Sequence, residues 1–111
     1  MTAIVGDLDG LFGALANASR REIVTYLAAG PAATPEIGRQ FPLSKQALNR
    51  HIITLEEAGL IRRTLKGRVH QIELNIHSLD GLTGWAQTIY DDWAANLDRL
   101  ADIVEPGNCD E

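Results

Sequence analysis

The sequence predicts a mainly α-helical domain with one small β-hairpin, and three observations carry that reading. Residues 43–60 place Leu48, Ile52 and Leu55 at helical spacing between Ser44, a good N-cap, and Gly59, a left-handed stop. After Gly59 the period changes: Ile72 and Leu74 alternate with Gln71 and Glu73, as a half-buried strand requires. Residues 78–104 then carry apolar side chains at alternating three- and four-residue steps for more than three heptads.

Taken in order, Asp7 to Ala16 forms a first short helix with Leu8, Leu11, Phe12 and Leu15 on one face. Asn17 caps a second helix, whose apolar positions Ile23, Val24 and Leu27 precede a stop at Gly30-Pro31. Thr34-Pro35 opens a third, with threonine as cap and proline at the first helical position. This helix turns Ile37 and Phe41 inward and ends before Pro42. Pro42 and Leu43 leave a tight turn into the Ser44 helix, and two short helices so joined make a helix-turn-helix unit. Segments 60–65 and 69–74 flank Lys66-Gly67-Arg68 as a two-stranded hairpin with a cationic tip. The last helix, Ser78 to Val104, carries Leu79, Leu82, Ala86, Ile89, Trp93, Leu97, Leu100 and Val104 along one seam, widened by Trp85, Tyr90 and Ile103.

Composition bounds the rest. At 111 residues and 45% apolar content, one compact core is feasible and two are not. The expectation is a single domain over residues 1–105 and a flexible acidic tail over 106–111. No apolar run approaches the roughly 18 residues of a membrane span, and no basic segment followed by an apolar stretch marks a secretory signal. Cys109 is the one cysteine, so no internal disulfide forms. A cytoplasmic protein without a cofactor is expected.

The outer face of the Ser44 helix presents Lys45, Gln46, Asn49 and Arg50 in its first two turns, all able to bond base edges or phosphates and none acidic. That is the profile of a helix entering a DNA major groove. The net charge of −5 opposes this only on average. Residues 34–75 hold seven basic against four acidic side chains, an excess of three positive charges, and the rest holds three against eleven. Phosphate attraction acts over about 8–10 Å, so the local sign decides. A cationic hairpin beside such a helix can lie on the backbone or enter the minor groove as a wing. The alternative is an ordinary solvated hairpin tip.

A seam of the length predicted for the last helix, about 40 Å at 1.5 Å per residue, exceeds what a small body covers. It calls for a partner surface, most simply a second copy of the chain. Packing against the first helix is the intramolecular alternative, and the two terminal helices could build one shared interface. Leu11, Leu82, Trp85, Ile89, Trp93, Leu97 and Leu100 are the expected dimerisation residues. Trp85, Tyr90 and Trp93 are read as plain core, with a small apolar effector site as the alternative.

His51 stands near the core face of the Ser44 helix, where a phosphate contact and an interior hydrogen bond are equally open. His70 belongs to the second wing strand and is read as a solvated position, with a phosphate contact as the alternative. Cys109 is flanked by carboxylates that oppose thiolate formation, which disfavours a reactive thiol. No nucleophile elbow, phosphate-binding glycine loop or His-x-x-x-His pair appears, so an enzyme is not expected.

Between about Leu11 and Glu105 the chain resembles the ArsR-type winged-helix regulators. The segments carrying this likeness are 14–23, 43–51, 55–61, Gly67-Arg68 and the Trp93 to Leu100 stretch. The resemblance implies five helices with a β-wing, a homodimer joined through its terminal helices, and repression through an imperfect palindrome in double-stranded DNA. By position it implies DNA contacts from Ser44, Lys45, Gln46, Asn49, Arg50 and His51, with Lys66 and Arg68 from the wing. The chain departs from the family's metal sensors: residues 34–40 hold no thiol or imidazole, and residues 78–104 hold no histidine beside Asp91 and Asp92. His77 and Asp80 could supply only part of a site, since borderline-soft metals want three or four nitrogen or sulfur donors, and His77 is read as capping or solvating the helix start. Two function classes follow: a dimeric, sequence-specific repressor that does not sense metal by the usual motifs, and a winged-helix module that binds protein with little use of its basic face.

Overall fold

The computed structural model describes residues 8–103. The side chain of Leu100 and all of Val104, Cys109 and the acidic tail, each invoked above, lie outside the described residues. The chain divides between Gly81 and Leu82 into two compact units.

The first unit contains α1 (Leu8–Leu15), α2 (Ala18–Leu27), β1 (Ala32–Ala33), α3 (Thr34–Gln40), α4 (Lys45–Glu57), β2 (Ile61–Lys66) and β3 (Val69–Leu74). A 3-10 turn, Ile76–Leu79, leads into α5 (Asp80–Ile103). The helical expectations hold in number and order. Two of the starts have a local cause in a side-chain cap: the Asn17 side chain accepts from the Arg20 amide at 3.1 Å, and the Ser44 hydroxyl oxygen accepts from the Ala47 amide at 3.0 Å.

The end of α4 is closed by paired bonds. The Leu60 amide donates to the Leu55 carbonyl and the Gly59 amide to the Glu56 carbonyl, both at 3.0 Å. Gly59 has φ 82°, the left-handed geometry this double bond needs, and Leu55 and Leu60 bury together beneath it. Leu60 therefore closes the helix instead of opening the hairpin, and β2 begins one residue later than expected.

Four further details differ from the sequence expectations. Ala33, not Thr34, occupies the cap position of α3, and the Thr34 hydroxyl donates instead to the His70 carbonyl at 3.4 Å. Thr34 is thus the first helical residue and Pro35 the second, where a missing amide hydrogen is equally harmless. A third strand exists: Ala32 pairs with Ile72 and Ala33 with Gln71, giving an antiparallel sheet of order β1-β3-β2. The helix expected from Ser78 starts at Asp80, after the 3-10 turn. Finally, Leu11 is 4% exposed and Ala14 3%, whereas Phe12 is 41% exposed. Leu11 is enclosed in the body of its own chain, and Phe12 is the large apolar side chain of α1 that reaches solvent.

The core is Ile23 and Leu27 of α2, Ile37 of α3, Leu48, Ile52 and Leu55 of α4, and Leu60, Ile61 and Ile72 from the sheet side, with Leu11 and Ala14 from α1. No polar side chain is buried among the described residues. At about 1.5–3 kcal/mol per fully buried aliphatic side chain, the three leucine and isoleucine positions of α4 anchor that helix firmly by one face. The opposite face is left for solvent or a ligand. Tyr26 and Phe41 seal the α2–α3 side edge to face, with centroids 5.9 Å apart.

In the second unit, α5 repeats the three- and four-residue spacing over 24 residues, about 36 Å of helix. Leu82 and Ala86 are half-buried, and Trp85, Ile89, Tyr90, Trp93 and Leu97 are exposed, Tyr90 at 72%.

Candidate nucleic-acid interface

The exposed side of α4 follows from its buried side. With Leu48, Ile52 and Leu55 turned inward, Lys45, Gln46, Asn49 and Arg50 stand in solvent in the first two turns. Gln46, Asn49 and Arg50 are spaced i, i+3, i+4 and share one face. Ser44 is exposed beside them. Its cap bond uses an oxygen lone pair, which leaves the hydroxyl hydrogen free to donate.

Beyond α4, β2 and β3 pair in register from Ile61–Leu74 to Lys66–Val69, so Gly67 and Arg68 alone make the turn. Gly67 has φ 65° and Arg68 does not share the positive value, the pattern of a two-residue hairpin turn with glycine first. This brings Arg68 and His70 back toward the start of α4. There Arg68, His70, Arg39 and Lys45 rim a groove of about 470 Å³ floored by Leu48 and Val69. Thr34, Gln46 and Asn49 join Lys45 in an adjoining hollow of about 360 Å³. Lys45 and Arg68, both expected from sequence, are thereby gathered at one groove. Lys66 is exposed on the wing and does not line it.

Arg39 and Thr34 escaped the sequence reading. Arg39 counted only toward the regional charge, because nothing in a seven-residue helix reveals which side chains face the wing. Two of the acids are paired with arginines of β2: Glu56 accepts from Arg63 at 2.9 Å, and Glu73 lies 3.8 Å from Arg62. Arg39, Lys45, Arg50, Lys66 and Arg68 form no salt bridge among the described residues. The local positive excess is thus concentrated on the α3–α4–wing side.

His51 is half-buried behind this surface. Its Nδ1 lies 3.3 Å from a terminal nitrogen of Arg20. Burial, then the nearby Arg20 and Arg50 charges, hold its pKa below the ordinary histidine value. His77 Nδ1 lies 3.4 Å from an Asp80 carboxylate oxygen, both strongly exposed. Among the described residues no group of three or more His, Cys, Asp or Glu side chains could hold a metal ion, and no helix is long and apolar enough to cross a membrane.

Comparison with known proteins agrees with this geometry. Residues 15–64 match the family model described as a helix-turn-helix domain, a span from the end of α1 into β2. An HTH-type transcriptional regulator of Mycobacterium tuberculosis is 36% identical over 93 residues, covering 73% of this chain and 87% of the relative. The transcriptional repressor SdpR of Bacillus subtilis is 27% identical over 78 residues, covering 70% of this chain and 87% of that one. Among solved structures, an ArsR-like transcriptional regulator from Rhodococcus superposes with a TM-score of 0.76 at 25% identity, over 89% of this chain and 93% of the other. With its helix-turn-helix, its two-stranded wing and this degree of kinship, the chain belongs to the ArsR-type winged helix-turn-helix family of DNA-binding transcriptional regulators.

Proposed function

We propose that this protein is a homodimeric repressor that binds a palindromic operator and does not respond to metal by the family's usual motifs. The observation that carries the reading is the continuity of one cationic surface from the first two turns of α4, which hold no acid, to the Arg68 turn. Gln46, Asn49 and Arg50 would approach base edges, Arg50 as a bidentate partner for guanine. Ser44, Lys45, Arg68 and the newly recognised Arg39 would hold phosphates and set the register. A DNA strand would then run along the groove between α4 and the wing. Lys66 would reach a neighbouring phosphate from the wing, and the Nε2–H of His51 would donate to another.

Repression is supported by the repressor role of the Bacillus relative. Dimerisation is supported by the exposed apolar seam of Trp85, Ile89, Trp93 and Leu97 on α5, with Leu82 at its start. A contiguous apolar helix face of this length favours association, and a two-fold dimer would space two recognition helices about 34 Å apart along DNA. A shallow hollow of about 250 Å³ on the Trp85, Ile89, Tyr90 and Trp93 face lies on that same seam. Its occupant is therefore the second chain, and a small apolar effector would have to compete with it.

The test is a mobility-shift or fluorescence-anisotropy titration on DNA from the protein's own promoter region. A saturable complex below micromolar concentration at moderate salt, with two-fold symmetric protection, is expected. Absence of such a complex would sink the repressor reading and favour a protein-binding module.

A further inference from the structure

One guanidinium joins three helices of the first unit. Arg20, in the first turn of α2, donates from Nε to the Ala14 carbonyl at 2.6 Å and from one terminal nitrogen to the Gly13 carbonyl at 3.2 Å. Both carbonyls belong to the last turn of α1. The other terminal nitrogen meets His51 Nδ1, in the middle of α4, at 3.3 Å. All three nitrogens of a planar, rigid fork are thus committed in different directions. Arginine has no acceptor, so Nδ1 must accept, and the neutral ring carries its proton on Nε2. The backbone of α2 is held at the same point, because the Arg20 amide donates to the Asn17 cap.

His51 follows Arg50 directly and lies five residues beyond Gln46. The buried leucine and isoleucine contacts of α4 resist translation but are non-directional and permit small rotations about the helix axis. A hydrogen bond to a ring behind the helix opposes such rotation. We propose that Arg20 is a positioning residue for operator recognition, holding His51 from behind so that Gln46, Asn49 and Arg50 are aimed together. The proposal rests on the DNA-binding reading given above.

This latch requires neutral His51. Protonation removes the Nδ1 acceptor and sets a second cation against Arg20. The charged groups acting on the ring are Arg20 from α2 and Arg50 from its own helix, both positive. In β2, which packs on α4, Arg63 is engaged with Glu56, and α1 joins the latch through the two carbonyls bonded to Arg20. No carboxylate is among the groups acting on the ring, so the charged form is disfavoured and the latch is closed at neutral pH.

The experiment measures discrimination, the ratio of affinities for an operator duplex from the protein's own promoter and a random duplex of equal length, from about pH 7.5 to about pH 5.5. Taking the ratio cancels the general gain in phosphate attraction as other histidines protonate. For the native protein the ratio should fall several-fold over this range, in step with the His51 titration followed by ring-nitrogen NMR. His51→Asn keeps an acceptor oxygen but cannot titrate, so its ratio should be independent of pH whatever its value. Arg20→Lys keeps the charge but loses the fork. Its ratio should be reduced at every pH by about 2- to 30-fold, the span of couplings of 0.5–2 kcal/mol through packed elements, with random-duplex affinity unchanged.

A native ratio that stays flat while His51 titrates, or a His51→Asn slope equal to the native one, overturns the proposal alone. So does an Arg20→Lys variant that discriminates as the native protein does. Failure of the native protein to bind either duplex overturns the DNA reading and this proposal with it. Should Arg20→Lys fail to fold by circular dichroism, the His51→Asn slope decides the matter by itself.

Discussion

Arg63 in β2 donates to the Glu56 carboxylate in the last turn of α4 at 2.9 Å, tying the wing to the helix that precedes it. The Asn75 side-chain amide donates to the Gly59 carbonyl at 3.1 Å, and the Asn75 backbone amide to the Leu60 carbonyl at 2.8 Å. The angle between wing and helix is therefore set at the base of the hairpin, from both of its strands. The ion pair is partly exposed, with side chains at 21% and 40%. Glu56→Gln should cost only about 0.2–1 kcal/mol in urea unfolding. A loss well above that would show that the pair supports more than its own contact.

The Ser44 cap carries a larger, separable contribution. Ser44→Ala should destabilise the protein by about 0.5–2 kcal/mol, and Ser44→Gly by only a few tenths. Equal losses for the two variants in thermal or denaturant unfolding would show that the bond to the Ala47 amide is not what stabilises the start of α4.

Stability should depend on pH through His51. Its pKa is lowered in the folded chain, so the unfolded chain binds the proton more readily. Above the ordinary value of about 6.5 both states are neutral and nothing is lost. As pH falls from there through the lowered folded value, the unfolded state gains and stability declines. Unfolding midpoints of the native protein and His51→Asn, compared from pH 7.5 down to 5, should converge as pH falls, because the asparagine variant lacks this penalty. Parallel curves would exclude His51 as the source.

Arg39 and Arg68 should act as phosphate holders and Arg50 as a base reader. Arg39→Ala and Arg68→Ala are expected to weaken operator and random DNA alike, each flattening the plot of log affinity against log salt by about one unit. Arg50→Ala should cost about 1–3 kcal/mol on the operator and relax specificity at one base position. Random-DNA affinity untouched by Arg39→Ala would remove α3 from the interface.

The α5 seam is tested by charge. Trp93→Glu or Ile89→Glu should shift sedimentation velocity from dimer to monomer and weaken operator binding, since half-sites would then be bound singly. A native protein that sediments as a monomer at micromolar concentration would end the dimer reading.

Much of this protein is legible along the chain because its signals are local. Ser44 and Asn17 cap helices through bonds spanning three residues, Gly59 and Gly67 adopt backbone angles that other residues resist, and the apolar periods of α4 and α5 are properties of single helices. The exposed composition of the Ser44 helix follows from the same periodicity once its buried face is known. The places where sequence and structure part are those governed by distant partners. Ala32 and Ala33 have no strand character of their own and become a strand because Ile72 and Gln71 offer an edge. Thr34 looks like a cap but turns to the His70 carbonyl, 36 residues away. Leu11 and Phe12 satisfy one helical period equally well, and only packing decides that Leu11 is enclosed. His51, evenly poised between two roles by sequence, is drawn to Arg20 across 31 residues, and Arg39 joins Lys45 and Arg68 only because the wing folds back. Sequence by itself determined the helices, the turns and the surface chemistry of α4, since hydrogen bonding and periodicity act within a few residues. Tertiary structure alone decided which cations share a groove and what stands behind the helix that presents them, because those neighbours are set by how the core closes.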